Sequence, residues 1–130
     1  MPERQTYQLI IHLERTANIT VGALGKQPFA AGDYLYTGSA KRNIEKRVAR
    51  HCRKTKTKRW HIDYLTSHPA ARVIAIRYFS GEECQINQRS RGEITIPGFG
   101  ASDCRAGCGA HLKYLGNENE HRHHHLSGLE

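Results

Sequence analysis

Acidic residues are scarce in this sequence: 12 aspartates and glutamates stand against 20 lysines and arginines, leaving a formal net charge of +8. Solubility alone would explain a smaller excess, and so lopsided a balance points to a polyanionic partner, most often nucleic acid. Long apolar runs are missing too. Nothing approaches the roughly 20 residues that cross a bilayer, which excludes a transmembrane helix of ordinary composition. The N-terminus MPERQTYQLI has no signal-peptide layout, so a cytoplasmic address is expected. Cysteine is sparse. In a reducing compartment Cys52, Cys84, Cys104 and Cys108 stay as thiols, and no disulfide framework is expected. Internal repeats are absent, and 130 residues leave room for one modest core and no second domain.

The strands stand out first. TYQLIIHL (6–13) is rich in β-branched and aromatic residues and has no breaker, so it reads as a buried strand. NITVGAL (18–24) reads as a second strand, joined to the first by a link short enough for a hairpin. GKQPFAAG reads as a loop around Pro28. DYLYTG (33–38) reads as a third strand ending at Gly38, and ARVIAIRYF (71–79) as the clearest of all. HLKYL (111–115) reads as a final short strand.

Three helices are expected between them. The first has Ser39 as a candidate N-cap and a buried stripe of Ile44, Val48 and Cys52, with Arg47, Arg50, His51 and Lys54 mostly on its other faces. RWHIDYLTSH (59–68) is a second, closed by Pro69. GEECQINQRSR (81–91) is a third, with Glu82 and Glu83 in its first turn. Cys84, like Cys52, reads as core packing. The fold class is therefore α+β: a small central sheet with antiparallel strands flanked by three helices. Residues 1–115 make the domain. From Gly116 onward the sequence has almost no apolar content and reads as a disordered His-rich tail (116–130), its terminal Leu129-Glu130 resembling a cloning remnant.

Cations are concentrated rather than spread. Lys41, Arg42, Lys46, Arg47, Arg50, Arg53, Lys54, Lys56, Lys58 and Arg59 make up half of the 20 and are opposed in that stretch only by Glu45. A basic run of this density reads as a nucleic-acid contact, each neutralised phosphate steepening the salt dependence of binding; a solvated face is the plainer alternative. Trp60 can stack on a base or pack in the core. His61 and Asp63, two apart, share no helical face and make no dyad.

DYLYTG leads directly into this helix. A tyrosine two residues before the glycine places its phenol at the sheet edge, and the helix start favours an anion such as phosphate. Arg47 can aim a guanidinium fork at the same place, and Tyr7 comes alongside if the first and third strands are neighbours. Glu83 is a hard oxygen ligand suited to Mg²⁺. Tyrosine, arginine and a metal-holding carboxylate are what phosphodiester hydrolysis requires.

TYQLII, YLYTGSA, IEKRVARH and EECQI, in that order, resemble the GIY-YIG nuclease superfamily. WHIDYL and PGFGASDC…HL make the likeness greatest to a branch of small, mostly prokaryotic domains, sometimes fused to endonuclease III-type DNA glycosylases. The resemblance runs from about Thr6 to Leu115. It implies a catalytic set of Tyr7, Tyr36, Arg47, His51 and Glu83, with a tyrosine acting as or assisting the general base, Arg47 balancing charge and Glu83 binding Mg²⁺ or Mn²⁺; Glu82 is the neighbouring alternative. It also implies a metal-dependent endonuclease acting on nucleic acid, DNA before RNA, in DNA repair and alongside a repair-protein partner. The chain departs from the pattern at Gln5-Thr6-Tyr7, where the first motif's glycine is absent, at Thr37, where the second has isoleucine, and in the longer Tyr7–Tyr36 gap.

Two other readings stay open. The domain can be a nucleic-acid-binding module of the same fold without efficient cleavage, or an accessory protein whose glycine-rich loop contacts another repair protein. Separately, Cys104, Cys108 and His111 have ligand types at close spacing suited to structural Zn²⁺, against a glycine-rich turn that merely packs its thiols. The HRHHH tail binds nickel or zinc loosely in any case.

Overall fold

A computed structural model of the chain describes residues 5–40, 42–80, 86–87, 90, 92–100 and 110–116. Six strands and two α-helices are found among them: β1 Thr6–Leu13, β2 Ala17–Thr20, β3 Lys26–Phe29, β4 Gly32–Ser39, α1 Ile44–Cys52, α2 His61–Thr66, β5 Ala71–Phe79 and β6 Leu112–Gly116, with one 3₁₀ turn at Gly22–Leu24. The main sheet runs β5-β1-β4-β6, and every pairing in it is antiparallel. The fold is α+β with a mostly antiparallel sheet. No helix among the described residues is long and apolar enough to cross a membrane.

The dense β-branched and aromatic runs 6–13, 33–38 and 71–79 became strands, since such side chains suit a pleated, half-buried surface. Strand alternation places Tyr7, Leu9, Ile11 and Leu13 on one face, where all are buried. Register sets Tyr36 opposite Leu9 and Gly38 opposite Tyr7, so these residues share that face. Phe29, Val48, Ile62, Leu65, Phe99 and Leu112 pack against it to complete the core. The other face of β1 carries polar groups that are also satisfied. Gln8 Nε2 donates to Thr37 Oγ1 (3.2 Å) and Ser90 Oγ (2.6 Å), and Lys113 Nζ donates to the carbonyls of Asn87 and Ser90.

Several expectations are corrected. The 6–13 strand does not form a hairpin with its successor; β1 lies between β4 and β5 at the centre of the sheet, while β2 pairs with β3 in a separate two-stranded sheet. The second expected strand stops at Thr20, because Gly22 turns the chain at φ 47°. The 25–32 loop contains β3, whose Pro28 faces Asn18; a two-stranded sheet has only edge strands, where the missing N–H is tolerated. Ser39 closes β4 instead of capping a helix, and α1 begins only after Asn43, held at φ 54°. The buried stripe of α1 turns from Val48 to His51 rather than to Cys52, which is exposed. Tyr7 and Tyr36 lie on central strands, not at a sheet edge. Gly116 belongs to β6. Of the third expected helix only Ile86 and Asn87 are described as helical; Glu82, Glu83, Cys84 and the tail from 117 lie outside the described residues.

β5 bears one irregularity. Ile10 pairs with Ala75 but Ile11 pairs with Val73, so Ile74 is an extra residue, a bulge on the outermost strand, and it is 49% exposed.

Candidate functional site

At the Thr6 end of the sheet, four rings meet over the last residues of β4. Tyr7 Oη lies 2.6 Å from His51 Nε2. The Tyr7 ring is 6.4 Å from Tyr36 and 5.4 Å from His51, and His51 is 5.9 Å from Tyr36 and 6.1 Å from Trp60. The antiparallel register brings Tyr7 and Tyr36 to one face, and α1 packs its inner face over them.

Gly38 is required by this packing. A Cβ there would lie 2.6 Å from Tyr7 Oη and 2.9 Å from Tyr36 Cε2. Gly100 serves Tyr36 from the other side: at φ +71° its hypothetical Cβ falls 3.2 Å from Tyr36 Cε1. That glycine is held by its own N–H, which donates to His61 Nδ1 at 2.9 Å. His111 lies behind, its carbonyl accepting from Thr37 N and its N–H donating to Phe99 O.

His51 is 1% exposed. Burial, reinforced by nearby Lys56, Arg50 and Arg47 and opposed by Asp63, pushes its pKa from 6.5 down to about 4. The imidazole is therefore neutral at pH 7, a state in which Nε2 can accept the Tyr7 phenol proton. His51 Nδ1 is buried and meets no hydrogen-bond partner among the described residues.

Arg47 stands at the mouth of the cluster. Its Nη1 donates to Ser39 O (2.9 Å), and its guanidinium lies 4.6 Å from the Trp60 ring centroid. Arg50 lies at 4.6 Å and Arg59 at 5.3 Å from the same ring. Asp63 organises this group. It is fully buried, and Arg50 bonds both of its oxygens at 2.9 and 3.0 Å. Asp63 Oδ2 also accepts the backbone N–H of Arg59 (2.8 Å) and Trp60 (3.0 Å), closing the first turn of α2. Burial alone would raise the carboxyl pKa, but the Arg50 and backbone bonds outweigh it and lower it.

The basic run divides in two. Arg50 also donates to Thr57 O. Lys54 Nζ donates to the carbonyls of Thr66, His68 and Ala71. Lys56 Nζ donates to the Arg50 and His51 carbonyls at the end of α1 and to Thr66 Oγ1, and its burial brings its pKa down to about 8. These three cations are built into the fold. Arg42, Lys46, Arg53, Lys58 and Arg59 are exposed, with Lys58 6.0 Å from the Tyr64 ring. Lys41 lies outside the described residues.

Tyr7, Tyr36, Arg47 and His51 are thus brought together, and Glu83 lies outside the described residues. Cys104 and Cys108 lie outside them as well, while His111 is buried; no group of three His, Cys, Asp or Glu side chains suited to a metal is found among the described residues. His61 and Asp63 form no dyad: one takes Gly100, the other Arg50. Asp63 is an organiser with a weak sequence signal: its carboxylate reaches back to the Trp60 N–H as in a capping box, but Trp60 is not the Ser or Thr by which such a box is read from sequence.

A family model described as the domain of unknown function DUF123 matches residues 6–129. No curated protein and no solved structure matches the chain.

Proposed function

The chain belongs to the DUF123 family, a domain of unknown function, and we propose that it is a GIY-YIG-like domain that hydrolyses phosphodiester bonds in nucleic acid, DNA before RNA. The observation that carries this reading is the 2.6 Å pairing of Tyr7 Oη with His51 Nε2, beside Tyr36 and below Arg47. A lone tyrosine is a poor base at neutral pH, its phenol pKa being near 10. A neutral imidazole on its hydroxyl changes that: as water attacks phosphorus, its proton passes to Tyr7 Oη while the Tyr7 proton passes to His51 Nε2. The new P–O bond forms as the bond to the leaving oxygen breaks, and that oxygen takes a proton from solvent. Arg47 offsets charge on the phosphoryl oxygens.

The described residues do not by themselves form a Mg²⁺ site, since Asp63, the carboxylate beside the cluster, has both oxygens committed to Arg50 and the α2 turn. Glu83, which the resemblance implies as ligand for Mg²⁺ or Mn²⁺, lies outside them.

A specific observation supports a second reading, a binding module of the same fold: Tyr7 is 1% exposed and Tyr36 8% exposed, so in this conformation water reaches neither phenol freely. The two are separated by incubating the protein with labelled duplex, single-stranded and branched DNA and with RNA, in Mg²⁺, Mn²⁺ or EDTA, beside Tyr7→Phe, Arg47→Gln and Glu83→Ala. Metal-dependent cleavage lost in all three variants supports the nuclease. Salt-sensitive binding with no cleavage of any substrate supports the module.

A further inference from the structure

Three guanidinium groups converge on one indole. Arg47, Arg50 and Arg59 lie 4.6, 4.6 and 5.3 Å from the Trp60 ring centroid. Among the described residues only Arg50 of the three has a carboxylate, Asp63. Among the described residues Arg47 and Arg59 have no ion-pair partner; the one acceptor found there for the Arg47 guanidinium is a neutral backbone carbonyl, Ser39 O. Like charges gathered beside a low-dielectric core repel, and a fold retains such a conflict where a ligand relieves it.

The cluster is also anchored at one point. Asp63 fixes Arg50 through its side chain and Arg59 and Trp60 through their backbone N–H groups, so one buried carboxylate sets three of its members. Guanidiniums already lie against the indole, so the ring serves to hold arginines rather than to stack a base. Cation–π contact orients a guanidinium while leaving N–H donors along its rim available, and two such forks suit the oxygens of a phosphate.

We propose that Arg47 and Arg59, carried on Trp60, form a clasp for one phosphate group. The clasp stands on its own geometry; it rests on the reading of the preceding subsection only for the identity of that phosphate as part of a nucleic-acid strand. It narrows the nucleic-acid path from the whole 41–59 run to its exposed members around this ring.

The test exploits the single tryptophan of the chain. The full-length protein in EDTA, at constant ionic strength, is titrated with inorganic phosphate and, separately, with an unphosphorylated single-stranded oligothymidylate, reading Trp60 fluorescence. Wild-type protein, Arg59→Gln, Arg47→Gln and a control Lys26→Gln, an exposed cation on β3 outside the 41–59 run, are compared, with a thermal melt of each. The expected result is a saturable Trp60 response that weakens roughly tenfold or more in Arg59→Gln, with an unchanged melt, and a log–log salt slope for the oligonucleotide lower by about 0.7. Lys26→Gln keeps the wild-type Trp60 response. A response to the oligonucleotide alone assigns the clasp to a strand phosphodiester; a response to inorganic phosphate alone assigns it to a free phosphate ligand. Equal binding by wild type and Arg59→Gln, or strand binding that leaves Trp60 fluorescence unmoved, overturns the proposal. EDTA suppresses metal-dependent cleavage throughout, so binding is read apart from chemistry; a domain that clasps phosphate here yet cleaves no substrate in Mg²⁺ or Mn²⁺ sinks the nuclease reading and leaves the clasp standing.

Discussion

Asp63 and Arg50 meet through both carboxylate oxygens and both terminal guanidinium nitrogens, at 2.9 and 3.0 Å, and this pair ties α2 to α1. The carboxylate has no solvent exposure and the guanidinium side chain only 16%. Removing one partner leaves a buried charge unanswered. Asp63→Ala is expected to cost about 3–5 kcal/mol in urea unfolding, and Arg50→Ala a comparable amount. The double variant should lose clearly less than the sum, since the second removal strands nothing further.

Gly38→Ala tests the tyrosine cradle. The added methyl would lie 2.6 Å from Tyr7 Oη, and overpacking of this kind costs about 1–3 kcal/mol. Tyr7→Phe removes the nearest colliding atom and leaves Cζ at 2.7 Å, on a ring freed from its hydrogen bond to His51, so Gly38→Ala in a Tyr7→Phe background should cost somewhat less than in the wild type. Chemical denaturation of the four proteins gives the coupling directly. Additive losses would mean that the methyl is accommodated elsewhere.

Acid should destabilise the fold partly through His51. Its folded pKa, about 4, lies below the unfolded 6.5, so the unfolded chain binds the proton first. The stability held above pH 6.5 is lost as pH falls toward 4 and changes no further below that on account of this group. The shift corresponds to about 3 kcal/mol. His61 and His68 are lowered too, chiefly by burial, and contribute in the same direction. Urea midpoints at pH 7, 5.5 and 4 should therefore fall less steeply for His51→Gln than for the wild type.

The basic run should separate by phenotype. Lys56→Gln removes three hydrogen bonds, two of them to the last carbonyls of α1, and should lower stability by roughly 1–3 kcal/mol. Arg53→Gln and Lys58→Gln, both exposed, should leave the melt within about 0.5 kcal/mol of wild type while each lowers the duplex-DNA salt slope by up to about 0.9. A Lys56→Gln protein with an unchanged melt would contradict the assignment of that amine to the fold.

What the sequence discloses is local. The 6–13 and 71–79 strands are legible because β-branched and aromatic residues crowd there with no breaker. Partner choice is not local: segment 18–24 lies nearest in the chain and reads as the partner of β1, while the structure pairs β1 with β4 and β5. Cys52 and His51 differ by one position, and only the tertiary contact with Tyr7 decides which of them turns inward. The rings of Tyr7 and Tyr36 could be placed on one face as soon as β1 and β4 were neighbours, but their place at the centre of the sheet depended on β5 and β6. Lys54 and Lys56 look like any other cations in a basic run, because the carbonyls that hold them come from backbone, which has no signature in side-chain chemistry.

The bulge at Ile74 bears on how this domain behaves when it is crowded. An open sheet offers its outer strands as templates on which another chain can grow. Here Glu93 bridges to Tyr114 across the outer side of β6. At the opposite margin the extra residue Ile74 breaks the regular ladder of β5, and exposed Arg72 and Arg77 stand on either side of it. A newly made chain meeting its neighbours on the ribosome thus presents no long, straight, uncharged border. Excising Ile74 would straighten that border, and the cost would fall less on the folded molecule than on its freedom from aggregation.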